Sequence, residues 1–237
     1  MHANGAQGDN RTRAGIYARV YQAAGEKWAR AGAASHGVCM YAHDAAAQKQ
    51  LFRYGFGMRC VDAVREMGEV SAPACNGYDF TVLKPEHAIE ALPLENDLNK
   101  SYMDSPFFMY RRPSSEDEFL ENYMRTRPVY IVARQSGNIN AFIKAAPDGE
   151  TFIQNTPGYI HCTGMYCLLE HRGKGIGQNL LNALVRTLKT QGYTRLGVDF
   201  ESLNPSGSGF WLKYFTAYTH SLVRRIDESV MHYYTAG

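Results

Sequence analysis

Apolar and polar positions alternate along the chain in a way that predicts helices and strands in close succession. Ile16, Val20, Tyr21, Ala24 and Trp28 share one helical face, predicting a helix over residues 14–30 that Ala31-Gly32 ends. Residues 1–13 are polar and read as a loose terminus or loop. Residues 36–42 read as a strand. Asp44 is placed to cap a helix over 45–54 that stops at Gly55, and 57–64 read as a second strand. Residues 66–76, with Gly68 and Pro73, read as a linker.

A second series follows. A strand is expected over 78–83, then a helical pattern over 85–100 that Pro93 kinks or breaks. Residues 101–112 are aromatic and irregular. Acidic residues 116–118 open a helix to about 125. Strands over 129–133 and 140–145 flank a turn at 136–138, and Phe152-Ile153 read as a short strand edge. The apolar run from Ile160 to Leu169 reads as a buried strand. Ile176, Leu180, Leu181, Leu184, Val185 and Leu188 then predict a helix that Gly192 ends. A strand over 194–201 follows, then a helix opened by Asn204-Pro205 that carries Phe210, Trp211, Tyr214 and Phe215, and a last strand over 221–227.

The chemistry concentrates at residues 159–178, where a strand passes through a glycine-rich turn into a helix. Such a turn presents unpaired backbone N–H groups at the positive end of a helix dipole, which makes an anion site and most often a phosphate site. The turn fits neither G-x-x-x-x-G-K-[ST] nor G-x-G-x-x-G. It does fit Arg-x-x-Gly-x-Gly, as Arg172-Gly173-Lys174-Gly175-Ile176-Gly177. This resembles the pyrophosphate-binding signature of the GNAT N-acetyltransferase superfamily. The element order from Tyr78, β-α-α-β-β-β-α-β-α-β, is also that of the GNAT fold, so the resemblance spans about residues 78–227.

The resemblance implies an α/β (α+β) GNAT-like acyl-CoA N-acyltransferase fold, a mixed sheet flanked by helices. It implies a complete domain at 71–237, with acetyl-CoA as cosubstrate. Residues 1–70 read helix-strand-helix-strand, and Tyr54-Gly55-Phe56 resembles the close of the last GNAT helix. They look like the second half of another such domain, degenerate and without the phosphate motif; the alternative is a plain α/β extension of the sheet.

By the same resemblance, backbone groups of Cys167, Leu168 and Leu169 pair with the pantetheine arm like an added strand. Those of Arg172, Gly173, Lys174, Gly175, Ile176, Gly177 and Gln178 hold the pyrophosphate. The Lys174 side chain either adds charge there or is simply solvated. Asn204 matches an asparagine that often contacts the cofactor, and it also suits a helix N-cap. Relatives often carry a tyrosine acid about seven residues later. Here that position is Trp211, which cannot act as an acid and is counted with the cofactor contacts. Tyr214, one helical turn on, is the candidate general acid, with an unassisted or water-protonated thiolate as the alternative. His161, Asp199 and Glu201 are candidate bases, acting directly or through a water. No covalent intermediate is required, because the amine attacks the thioester directly.

Composition narrows the class further. The chain has 25 basic and 23 acidic residues and a formal charge of +2, which gives no basic footprint for nucleic acid. Five cysteines without a C-x-x-C pair argue for reduced thiols in a cytoplasm and against a disulfide framework or a metal site. No signal peptide or membrane span is expected. The acceptor is expected to be a primary amine on a small molecule or peptide. The resemblance implies that it is bound near residues 92–123, where acids (Glu95, Asp97, Asp104, Glu116, Asp117, Glu118) mix with aromatics in a way that suits a cationic amine. The alternative is that these acids form a solvated helix face and the aromatics are core. A homodimer is compatible with the length. The rival functions are a non-catalytic acyl-CoA-binding module or sensor and, less favoured, a nucleotide phosphate-binding protein.

Overall fold

The computed structural model describes residues 7–147, 149 and 153–235. These residues form two compact units. The first contains the described residues through Ala63 together with Phe200–Leu212 and the described residues from Thr216 on; the second is Val64–Asp199 with Lys213–Phe215.

In the first unit, α1 (Asn10–Arg30) starts earlier than its apolar face suggests, because Asp9 accepts from the Thr12 N–H and supplies a cap. The expected loose terminus over 1–13 therefore contains the first turn of α1. β1 (Ser35–Tyr41) leads to α2 (Ala45–Arg53), which Asp44 caps as expected by accepting from the Ala47 N–H at 3.0 Å. The same carboxylate takes a hydrogen bond from Tyr17 and an ion pair from Arg13, both at 2.5 Å, so one buried acid ties α1 to α2. β2 (Gly57–Glu66) begins in this unit and ends in the other. β8 (Thr216–Arg225) pairs antiparallel with β1, from Ser35↔Arg225 to Tyr41↔Thr219. Tyr17, Tyr21, Met40, Leu51, Phe56 and Leu222 form the core.

Two expectations in this unit are corrected. The helix opened by Asn204 is only α6 (Pro205–Trp211): it ends before Tyr214, and the chain turns directly into β8, which starts five residues earlier than expected. A further helix, α7 (Ser229–Thr235), follows β8. Its sequence carries no glycine, proline or apolar period that announces it.

The second unit holds the mixed sheet. Its strands are β3 (Asp79–Val82), β4 (Val129–Gln135), β5 (Asn138–Ala146), β6 (Tyr159–Cys167) and β7 (Arg195–Glu201), whose last two residues belong to the first unit. They lie in the order β7-β6-β5-β4-β3, antiparallel throughout except for the parallel pair β6–β7. The expected helix over 85–100 is split: a 3-10 helix covers Pro85–Ala91, and Pro93 sits in the first turn of α3 (Leu92–Ser101), where its missing N–H costs nothing. α4 (Glu116–Thr126) opens with a reciprocal capping box between Ser115 and Glu118.

α3 and α4 cover one face of this sheet through Leu92, Leu94, Phe119, Tyr130, Val132 and Phe142. α5 (Ile176–Thr190) packs on β3, β4 and β5, and buries Ile176, Leu180, Leu181, Leu184, Val185 and Leu188, the six positions its period predicts. The apolar run expected to continue as strand to Leu169 ends at Cys167, after which Leu169–His171 form a 3-10 turn with Leu169 exposed. The strand edge read at Phe152-Ile153 lies, for Phe152, outside the described residues; Ile153 lies in a turn. Among the described residues no helix is long and apolar enough to cross a membrane.

Candidate active site

The site begins where β6 and β7 part. Their parallel ladder runs only from Tyr159↔Arg195 to Cys162↔Val198. On its other side β6 stays paired with β5 as far as Ala141↔Cys167. The Leu168 N–H donates to Asn140 O at 3.0 Å, so antiparallel alternation turns the backbone groups of Met165 and Cys167 away from β5, toward the opening.

Beyond Cys167 the chain enters the glycine turn. Gly173 and Gly175 take φ values of +76° and +81°, a region that disfavours any residue with a Cβ. Gly175 is the N-cap of α5 and supplies no side chain, so the first N–H groups of the helix carry no side-chain cap and face outward as donors. The surrounding residues fix the turn. Arg172 folds back to donate from Nε to Cys167 O at 2.9 Å, with its guanidinium 5.5 Å from the Tyr166 ring centre. His171 is held between Tyr78 Oη at 2.6 Å and Asn140 Nδ2 at 3.2 Å. Residues 73–75 lie against the turn: a Cβ on Gly175 would come within 2.5 Å of Pro73 Cγ. Asn179 Nδ2 donates to Pro73 O at 3.0 Å, and Cys75 Sγ contacts Lys174 O at 3.3 Å.

At the start of the opening stands a chain of three side chains. Tyr159 Oη is 2.7 Å from His161 Nδ1, and His161 Nε2 is 2.7 Å from Asp199 Oδ1. With the tyrosine donating to Nδ1, the remaining imidazole proton on Nε2 faces the carboxylate. The His161 side chain is 2% exposed and that of Asp199 46%. Burial pushes the Asp199 carboxyl up, but the hydrogen bond and charge of His161, with Arg111 beyond, hold it below the usual carboxylate value. Tyr159 fits only because residue 197 is glycine: a Cβ there would lie 1.7 Å from the phenol oxygen.

The other expected residues fall elsewhere. Glu201, Asn204 and Trp211 belong to the first unit. Glu201 is ion-paired with Arg59, Asn204 caps α6 by accepting from the Gly207 N–H at 2.8 Å, and Trp211 is buried. Tyr214 lies past the end of α6, half-buried near Arg65. Burial pushes the Cys162 thiol up to about 12 and the Cys167 thiol up to about 11, so neither is a thiolate near neutrality. Tyr159 was not singled out in the sequence. Its signal was the i, i+2 spacing to His161, which puts both side chains on one face of a strand.

The Acetyltransferase (GNAT) family model matches residues 95–215, which holds the splayed strand pair, the glycine turn and Asp199. No curated protein sequence matches the chain. Among solved structures, a GCN5-related N-acetyltransferase from Sphaerobacter thermophilus is similar in fold, with a TM-score of 0.58 at 16% identity over 91% of this chain and 70% of that one. An acetyltransferase of the GNAT family from Colwellia psychrerythraea gives 0.53 at 14% identity over 81% and 65%. A GCN5-related N-acetyltransferase from Kribbella flavida gives 0.50 at 14% identity over 81% and 68%. With its model spanning half the sequence and its fold matched across most of it, the chain belongs to the GNAT acetyltransferase family.

Proposed function

We propose that the protein transfers an acetyl group from acetyl-CoA directly to a primary amine. The observation that carries this reading is the opening of β6 from β7 after Cys162, with the glycine turn at its far end and an ionised carboxylate at its near end. An amide-bearing arm pairs with the β6 edge at Met165 and the Cys167 N–H, the Cys167 carbonyl being held by Arg172, and its diphosphate meets the N–H groups from Arg172 to Gln178.

Asp199 is the base in this reading. It takes a proton from the bound ammonium, directly or through a water, and the freed nitrogen attacks the thioester carbonyl. His161 is a positioning residue: both ring nitrogens are engaged and its side chain is buried, so it orients Asp199 without touching the acceptor. The departing thiolate takes its proton from water, the alternative to Tyr214, which lies near Arg65. Residues 1–70 serve a structural role and bind no cofactor.

Calorimetric titration with acetyl-CoA, beside a Gly175→Asp variant, tests the cofactor half. Binding by the wild type alone supports it, and no binding by the wild type overturns it. A screen of amines for acetylated product tests the rest. Binding of acetyl-CoA without transfer to any amine would leave the chain as an acyl-CoA-binding module.

A further inference from the structure

The register of β6 against β5 changes partway along the strand. Ala146 stands opposite His161 and Ala145 opposite Cys162, but Lys144 stands opposite Gly164. Thr163 is therefore an extra residue without a partner on β5, and β6 bulges there. The bulge falls one residue after Cys162, where β6 leaves β7. It decides which backbone groups face the opening. The bond from the Leu168 N–H to Asn140 O shows that Asn140 turns its backbone toward β6, and by the period of two so do Phe142 and Lys144. In the shifted register these meet Tyr166 and Gly164, which leaves Met165 and Cys167 facing away from β5. Carried on in the register of His161, the strand would set Met165 against Phe142 and Cys167 against Asn140. Both would then turn toward β5 and away from the opening.

A buried ion pair stands at the shift. Lys144 Nζ lies 2.7 Å from Glu95 Oε1, with the two side chains 15% and 12% exposed. Tyr130 Oη donates to the same oxygen at 2.7 Å, so α3 and β4 together fix the lysine head. The lysine stem lies over Gly164, where a Cβ would come within 2.9 Å of Cε. Slipped back by one residue, β6 would bring Thr163 opposite Lys144, against a stem whose far end is tied. Glycine leaves room for that stem, and a β-branched threonine takes the room away. A buried ion pair adds little net stability relative to an apolar pair, and fixing one register is its best-attested use.

We propose that Lys144 is a positioning residue: pinned by Glu95 and Tyr130 over Gly164, it holds β6 in the shifted register and so presents the edge that receives the amide-bearing arm of acetyl-CoA. The proposal rests on the acetyltransferase reading above and adds a residue to its cofactor half.

Calorimetry with two probes tests it: acetyl-CoA, and ADP, which carries the diphosphate without the arm. Wild type is compared with Lys144→Met and with Gly164→Ala, which keeps the ion-pair residues and displaces only the stem. Both variants are expected to raise the Kd for acetyl-CoA about tenfold, the size of one or two net hydrogen bonds, with the Kd for ADP unchanged. Because Lys144→Met strands Glu95, the Lys144→Met/Glu95→Gln variant carries the same measurement if the single variant melts early. A pair that only stabilises the fold would weaken both probes together or neither. Either result overturns the proposal and leaves the transferase reading intact. Wild type that binds acetyl-CoA no tighter than ADP overturns the receiving edge, and the pin with it. No binding of acetyl-CoA by the wild type overturns the underlying reading, and this proposal falls too. The register can also be read without a ligand, from cross-strand nuclear Overhauser contacts at position 144. Contacts that pass from Gly164 toward Thr163 in Lys144→Met support the pin, and contacts that stay at Gly164 overturn it.

Discussion

His161 Nε2 lies 2.7 Å from Asp199 Oδ1, and the two ends of this contact differ sharply in access: 2% for the histidine side chain and 46% for the aspartate. The pair therefore has one working end. Asp199→Asn keeps the shape but cannot accept a proton. It is expected to lower kcat by about 10²–10⁴-fold with acetyl-CoA affinity preserved, as read by initial rates and calorimetry. His161→Gln, which loosens the carboxylate without removing it, should cost less. Since the folded Asp199 pKa lies below its unfolded value of about 3.9, the carboxylate is charged throughout the neutral range. Its contribution to stability is present above the unfolded value and is lost as pH falls through the folded one. No inflection in kcat between about pH 5 and 9 should disappear in Asp199→Asn.

Gly173 and Gly175 share a left-handed backbone but differ in surroundings. Nothing lies within 4 Å of a Cβ at Gly173, whereas Pro73 Cγ lies at 2.5 Å from one at Gly175. Gly173→Ala should cost only the backbone strain, about 1 kcal/mol. Gly175→Ala adds the collision with Pro73, so its thermal midpoint should fall further. Equal midpoints for the two variants would contradict this contact.

Gly197→Ala should be among the most damaging small substitutions in the larger unit, since the new methyl would lie 1.7 Å from Tyr159 Oη. Overpacking of this kind costs about 1–3 kcal/mol. Adding Tyr159→Phe removes the nearest atom and should recover part of the loss in chemical denaturation.

The N-terminus of α4 provides a pH test. Ser115→Ala removes the side-chain half of the capping box and should destabilise by about 1 kcal/mol. Glu118, held by Arg112 first and then by the Ser115 N–H, has its pKa lowered to about 2 from an unfolded value near 4.5. A folded pKa below the unfolded one means the stabilisation is complete above about 4.5 and lost as pH falls through about 2. The melting difference between wild type and Glu118→Gln should thus hold at neutral pH and close in strong acid.

The glycine turn, α5 and the acidic start of α4 were legible in the sequence because each is fixed by neighbours in the chain: a glycine series, an apolar period, three acids in a first turn; the Ser115–Glu118 capping box was added by the structure. The end of α6 was not, since Trp211, Tyr214 and Phe215 keep a helical spacing that the turn into β8 interrupts. The base was only partly legible. His161 and Asp199 were both candidates, but their contact depends on the register that pairs His161 with Gly197, a relation between strands that local pattern does not carry. The Lys144–Glu95 pair, across 49 positions, left no local signal for the same reason. Glu95 instead read as one acid among several that would draw a cation.

The segment over 70–78 gives the family match a practical edge. Val70 is buried, Pro73 and Cys75 rest on the glycine turn, and Tyr78 holds His171. β3 then completes the sheet against β4. All of these lie outside residues 95–215, where the family model matches. A fragment cut to those limits would keep the signature glycines yet lose the parts that brace them, so the shortest piece worth expressing starts upstream of Val64.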